Sequence, residues 1–118
     1  MKSLLIVEDD QLIVTVLKRR LSKEGYEIVE ARNGLEAKQL IEKKVPDLVI
    51  SDLMMPYLSG LELIELIRGE LQLSTPIIVL SAAGQEDTVL QAFQMGANDF
   101  VSKPFSINEL LMRVKKLL

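Results

Sequence analysis

Ser3-Leu4-Leu5-Ile6-Val7-Glu8-Asp9-Asp10 runs from a short β-prone apolar stretch straight into three consecutive carboxylates. An apolar run this short, with no polar residue alternating through it, is the pattern of a strand covered on both faces. Four more runs of strand character follow, at residues 27–31 (EIVEA), 47–51 (DLVIS), 76–80 (PIIVL) and 98–101 (NDFV), the first strand taking residues 3–8. Between them lie segments of helical period at residues 11–23, 34–43, 60–71, 85–95 and 106–117. The last is the clearest, with Ile107, Leu110, Leu111, Val114, Leu117 and Leu118 on one stripe. Ser106 with Glu109 three residues on predicts a capping box at its start. Strand and helix alternating in this way predict an α/β fold with a parallel sheet, doubly wound, whose ligand crevice opens beyond the carboxyl ends of the strands.

The 118 residues suit one domain spanning 1–118, with no repeat, linker or low-complexity segment. Lys and Arg total 14 against 17 Asp and Glu, a formal charge of −3 that lacks the basic footprint of nucleic-acid binding, so no direct contact with nucleic acid is expected. His and Cys are both absent, which removes imidazole acid/base chemistry, thiol nucleophiles, disulfides and most zinc sites together. Neither a signal peptide nor an apolar span long enough for a membrane helix is present, which predicts a cytoplasmic protein without membrane contact.

Chemistry therefore rests on carboxylates, hydroxyls and amines. Glu8, Asp9 and Asp10 follow the first strand, Asp52 the third, Ser81 the fourth and Lys103 the fifth. Carboxylates gathered at one sheet edge repel by roughly 4 kcal/mol per pair about 4 Å apart in a surface-like dielectric, so a cation must compensate them. Oxygen donors without His or Cys suit Mg²⁺ (or Mn²⁺), and Glu8, Asp9 and Asp52 are the predicted ligands. A carboxylate is also a competent nucleophile toward phosphorus when the charge on the transferring oxygens is neutralised. Asp52 is the candidate, with the metal on one oxygen, the Lys103 ammonium on a second, and the Ser81 hydroxyl with a nearby backbone N–H on the third.

The strings Ile6-Val7-Glu8-Asp9-Asp10, Asp52-Leu53-Met54-Met55-Pro56 with Gly60, Leu80-Ser81-Ala82, Gly96-Ala97-Asn98-Asp99-Phe100 and Lys103-Pro104-Phe105 together resemble the receiver domains of bacterial response regulators. The resemblance covers essentially the whole chain. It implies a flavodoxin-like sheet in the order 2-1-3-4-5, flanked by five helices. By position it makes Asp52 the phosphoacceptor, Glu8 and Asp9 the acidic pair, Ser81 the switch hydroxyl, Lys103 the phosphate-binding lysine, Phe100 the switch aromatic and Met54 the donor of a backbone carbonyl to the metal. Implied partners are a sensor histidine kinase or histidine phosphotransfer protein upstream, and an output domain or downstream protein reached through residues 85–118. Either a monomer or a phosphorylation-dependent dimer fits. Two departures stand out: Glu8 replaces the usual Asp and lengthens one arm of the metal shell, and Phe100 replaces the frequent Tyr, leaving no phenolic hydroxyl.

Plainer readings stand beside these. Asp9 and Asp10 can each cap the helix that begins near Gln11, a role preferred for Asp10. Phe100 can be an edge-strand aromatic rather than a rotameric switch, Met54-Met55 fits loop packing better than recognition, and Lys103-Pro104 can be cis, as in relatives, or trans. Two rival functions are an aspartate-nucleophile phosphatase and a degenerate receiver that only binds protein. The first generally needs an acidic residue two places after the nucleophile, where this chain has Met54; the second is disfavoured because Glu8, Asp9, Asp52, Ser81 and Lys103 are all present.

Overall fold

In a computed structural model that describes all 118 residues, Met1–Leu118, the five apolar runs pair as parallel strands. They are β1 (Ser3–Val7), β2 (Glu27–Ala31), β3 (Leu48–Asp52), β4 (Ile77–Ser81) and β5 (Asp99–Ser102), in the spatial order β2-β1-β3-β4-β5. The helices are α1 (Gln11–Lys23), α2 (Gly34–Lys43), α3 (Gly60–Glu65, continued by a π-helical turn at Leu66–Glu70), α4 (Glu86–Met95) and α5 (Ile107–Leu117). This is the expected doubly wound, flavodoxin-like α/β architecture, strand order included.

Side chains alternate across a strand, and that period sorts the apolar residues into two cores. Leu5, Val7, Val49, Ile77 and Val79 face α2, α3 and α4, while Leu4, Ile6, Leu48, Ile50, Ile78 and Leu80 face α1 and α5. All residues of β1, β3 and β4 are buried, and their polar residues, Ser3, Ser51, Asp52 and Ser81, stand only at the strand ends. The margins, β2 and β5, are partly exposed, and Glu27 and Glu30 on β2 discourage edge pairing.

Three strands end one residue later than the apolar runs predict, so Asp52 and Ser81 are the last residues of β3 and β4 and Ser102 the last of β5, while Glu8 lies just past β1. The backbone ladder ignores side-chain polarity: the Leu53 N–H still donates to the Leu80 carbonyl (3.1 Å) and the Lys103 N–H to that of Ser81 (2.6 Å). Their starts likewise fall one residue later than expected.

Helix termini bring further differences. The predicted box at Ser106 is half made: Ser106 Oγ accepts the Glu109 N–H (3.3 Å), but the Glu109 carboxylate turns to Arg113. A complete box closes instead at Ser59 and Glu62, at 3.2 and 3.1 Å, fixing the start of α3 just beyond β3.

The helix expected over residues 60–71 widens after Glu65. Its wider turn includes Gly69, a poor helix former, and Arg68. Arg68 donates to the carbonyls of Gly96 (3.1 Å) and Leu73 (2.8 Å) and to Asn98 Oδ1 (2.9 Å), which also accepts the Ile77 N–H (2.8 Å). One guanidinium thus ties α3, the approach to β4 and the α4–β5 turn together, and burial lowers its pKa. Arg68→Ala leaves these acceptors short of a charged donor and is expected to lower unfolding stability by about 2–3 kcal/mol in urea titrations. Arg68→Lys should recover less than half of that, because its donors all sit on one nitrogen and cannot reach acceptors that the guanidinium meets through Nε, Nη1 and Nη2 separately; an unchanged urea midpoint in the Ala variant would refute the clamp.

Candidate functional site

Strand register sets the site. Asp52 aligns with Leu80 and Ser81 with Ser102, so the carboxyl ends of the central strands come level and present Asp52 and Ser81 at one edge. Glu8 and Asp9 follow β1 directly and Lys103 follows β5 directly. Gly60 allows α3 to begin against this edge: a Cβ there would sit 2.5 Å from the Asp52 carbonyl oxygen and 2.7 Å from Leu53 Cα.

Lys103 Nζ donates to Glu8 Oε1 at 2.7 Å and to Asp52 Oδ2 at 2.9 Å, joining residues 95 and 51 positions apart in the chain. The second oxygen of Glu8 accepts the Asp10 N–H (3.0 Å), and Asp52 Oδ1 accepts the Met54 N–H (3.3 Å). Glu8 is 1% exposed and Asp52 7%. Burial pushes the Glu8 carboxyl above its ordinary pKa, against the Lys103 and Asp10 hydrogen bonds that favour the charged form. Burial alone would lower the Lys103 pKa, but its bonds to Glu8 and Asp52 outweigh this and hold it above the usual value.

Glu8, Asp9 and Asp52 each offer an oxygen, all within 4.8 Å of one another. Three carboxylates meet one ammonium, so negative charge is left over, and the donors are hard oxygens with Asp9 open to solvent. That set fits a small hydrated divalent cation such as Mg²⁺.

Asp10 does cap α1, accepting the Leu12 N–H at 3.0 Å. Met55 packs against the core, but Met54 is 64% exposed, so the loop-packing expectation holds for only one of the pair. Ser81 is buried, and Phe100 is half-buried with its ring edge-on to Phe93, centroids 5.9 Å apart. The Lys103-Pro104 peptide is cis. Two contacts had no signal in the sequence: the Lys103 bond to Glu8, and Gln85, whose side-chain oxygen accepts the Ala82 N–H.

The family model described as the response regulator receiver domain matches residues 4–115 of this chain. The chain belongs to the response-regulator receiver family. Over 118 residues this receiver is 42% identical to the phosphate regulon transcriptional regulatory protein PhoB of Pseudomonas aeruginosa, covering 99% of this chain and 52% of that protein. It is 38% identical to the alkaline phosphatase synthesis transcriptional regulatory protein PhoP of Bacillus subtilis, covering 99% of this chain and 48% of that one. The chain thus spans about half the length of these curated relatives. Among solved structures, a Francisella response regulator 1452 receiver domain superposes with a TM-score of 0.91 at 34% identity, covering 99% of this chain and 96% of that one. The receiver domain of NtrX from Brucella abortus gives 0.91 at 30% identity, covering 98% and 97%. Receiver domains are signalling modules of two-component systems that are phosphorylated on Asp and use Mg²⁺ in an acidic pocket, and they interact with histidine kinases and output domains. No helix of this receiver is long and apolar enough to cross a membrane.

Proposed function

We propose that residues 1–118 form one receiver unit that takes a phosphoryl group onto Asp52 from the phosphohistidine of a sensor histidine kinase or a histidine phosphotransfer protein. The observation that carries this reading is the meeting of Glu8, Asp9 and Asp52 oxygens within 4.8 Å, with Lys103 Nζ bonded to two of the three residues. Glu8, Asp9 and Asp52, with the backbone carbonyl of Met54, would hold Mg²⁺ or Mn²⁺, whose charge neutralises the phosphoryl oxygens. An Asp52 oxygen forms the new P–O bond as the P–N bond to the donor imidazole breaks, and the leaving nitrogen keeps the electron pair. Lys103 supplies a mobile point charge to one phosphoryl oxygen, and the Ser81 hydroxyl with a neighbouring backbone N–H serves another. Incubation with acetyl phosphate and Mg²⁺ tests this reading: intact-mass measurement should show one added phosphoryl group, and none without the metal. Absence of any adduct from an active donor would overturn it.

The product adds about −1.5 to −2 charge at the sheet edge, drawing Ser81 toward it. Phe100 then turns toward the vacated space and reshapes the face made by α4, β5 and α5, so that residues 85–118 speak to an output partner. A monomer or a phosphorylation-dependent dimer both suit this scheme, in the cytoplasm and without direct contact of this unit with nucleic acid. The similar proteins of Pseudomonas aeruginosa and Bacillus subtilis are transcriptional regulatory proteins, which favours an output acting on transcription. Beryllofluoride with Mg²⁺ should shift backbone amide resonances across residues 85–105; shifts confined to residues around Asp52 would refute the switch.

Lifetime follows from the side chains flanking the phosphoryl group. Met54 and Ala83 are both exposed and neither can orient an attacking water by a hydrogen bond. Slow self-dephosphorylation is expected, and Met54→Asn should speed the decay by about tenfold, in line with a single positioned water. An unchanged decay rate in that variant would remove the idea.

A further inference from the structure

We propose that Gln85 is a positioning residue for phosphoryl transfer: its side-chain oxygen occupies the Ala82 N–H that an incoming phosphoryl oxygen must take over, and so restrains how readily the domain accepts the group. This rests on Asp52 being the phosphoacceptor.

The ladder between β3 and β4 shows where that N–H lies. Val49 donates to Pro76 and Leu53 to Leu80, an advance of two rungs by which a further rung would run from the Ala82 N–H to the Leu53 carbonyl. The Leu53 carbonyl is taken instead by the Gly60 N–H at 3.0 Å. Ala82 is left as a donor at the end of β4, on the side of β3 and next to the strand end that carries Asp52 and the buried Ser81. Gln85 fills it. The left-handed Gly84 (φ 86°) brings the chain round in this turn, and Gln85, although it precedes α4, makes no side-chain bond to that helix. Its polar end is committed to Ala82.

An amide oxygen is a weaker acceptor than a charged phosphoryl oxygen, so the exchange is favourable, but it proceeds only after the Gln85 bond opens. The released side chain has room: Gln85, Ser81, Phe93 and Phe100 line one groove of about 330 Å³ between α4 and β5. Release of Gln85 and movement of the ring at Phe100 therefore draw on the same space.

The test is titration with beryllofluoride plus Mg²⁺, followed by backbone amide resonances, in the wild-type chain, Gln85→Ala and Gln85→Glu. Gln85 is a half-buried loop residue, so both variants should fold. Gln85→Ala is expected to bind the probe roughly three- to tenfold more tightly, the range of one net hydrogen bond, with Mg²⁺ affinity unchanged and the unliganded Ala82 amide shifted upfield. Gln85→Glu, whose carboxylate holds the N–H more strongly, should bind it more weakly than wild type. A purely structural role would lower affinity in both variants. Gln85→Ala binding no tighter than a wild type that does bind overturns the proposal alone. Failure of the wild type itself to bind overturns the phosphoacceptor reading and the proposal with it.

Discussion

Asp52→Asn is expected to leave the intact mass unchanged after incubation with acetyl phosphate and Mg²⁺, under conditions in which the wild-type chain gains one phosphoryl group. The amide has neither the charge nor the basicity to attack phosphorus, so the rate of adduct formation should fall by at least about a thousandfold. The variant should fold normally. Asn keeps an oxygen that can accept from Lys103, and removing one of three clustered carboxylates relieves repulsion felt by Glu8, whose charged form is already disfavoured by burial. Circular dichroism and urea titration would verify this, with stability expected equal to or above wild type. An adduct that persists in the Asn variant would move the phosphoacceptor elsewhere, and the reading of the site would fall.

Lys103→Ala carries the second large effect, on stability and its pH dependence. Lys103 is the ammonium compensating Glu8 and Asp52, and removing it leaves Glu8, 1% exposed, without its counter-charge. The expected loss is about 2–3 kcal/mol near neutral pH, below the range for fully buried pairs because the Lys103 side chain is 22% exposed. Glu8 already has a folded-state pKa above 4.5, raised first by burial. A carboxyl raised on folding contributes stability that is fully present below 4.5 and is lost as pH rises through the folded value. Without the Lys103 hydrogen bond that value climbs further, so the variant should be penalised more at about pH 8 than at about pH 5. Lys103 behaves in the same sense: its pKa is raised above 10.5, so its contribution is present below that value and disappears as pH rises through the folded one, where wild type and variant should converge. Mg²⁺ should restore part of the variant's stability near pH 8 by replacing the missing positive charge. A deficit independent of both pH and Mg²⁺ would show that shape, not charge, is what Lys103 supplies.

The legibility of this protein in its sequence divides along a physical line. Periodicity and polarity are local, and they marked all five strands and all five helices to within about two residues at the ends, apart from the π turn at Leu66–Glu70. They also placed Glu8, Asp52, Ser81 and Lys103 at carboxyl strand ends, where polar residues abruptly follow apolar runs. Strand order is not local. A parallel sheet follows from the alternation, but the order 2-1-3-4-5 is implied only by the family resemblance.

Local pattern therefore sets the alternating α/β layout, the kinds of chemistry open to a chain lacking His and Cys, and the sheet edge at which that chemistry collects. Packing of the whole chain is what makes Lys103 bond Glu8 as well as Asp52, Arg68 span three segments, and Gln85 turn back onto Ala82. A long polar side chain has many partners within reach of its own length, and which one it finds depends on burial and on distant backbone atoms that come near only when the chain has packed.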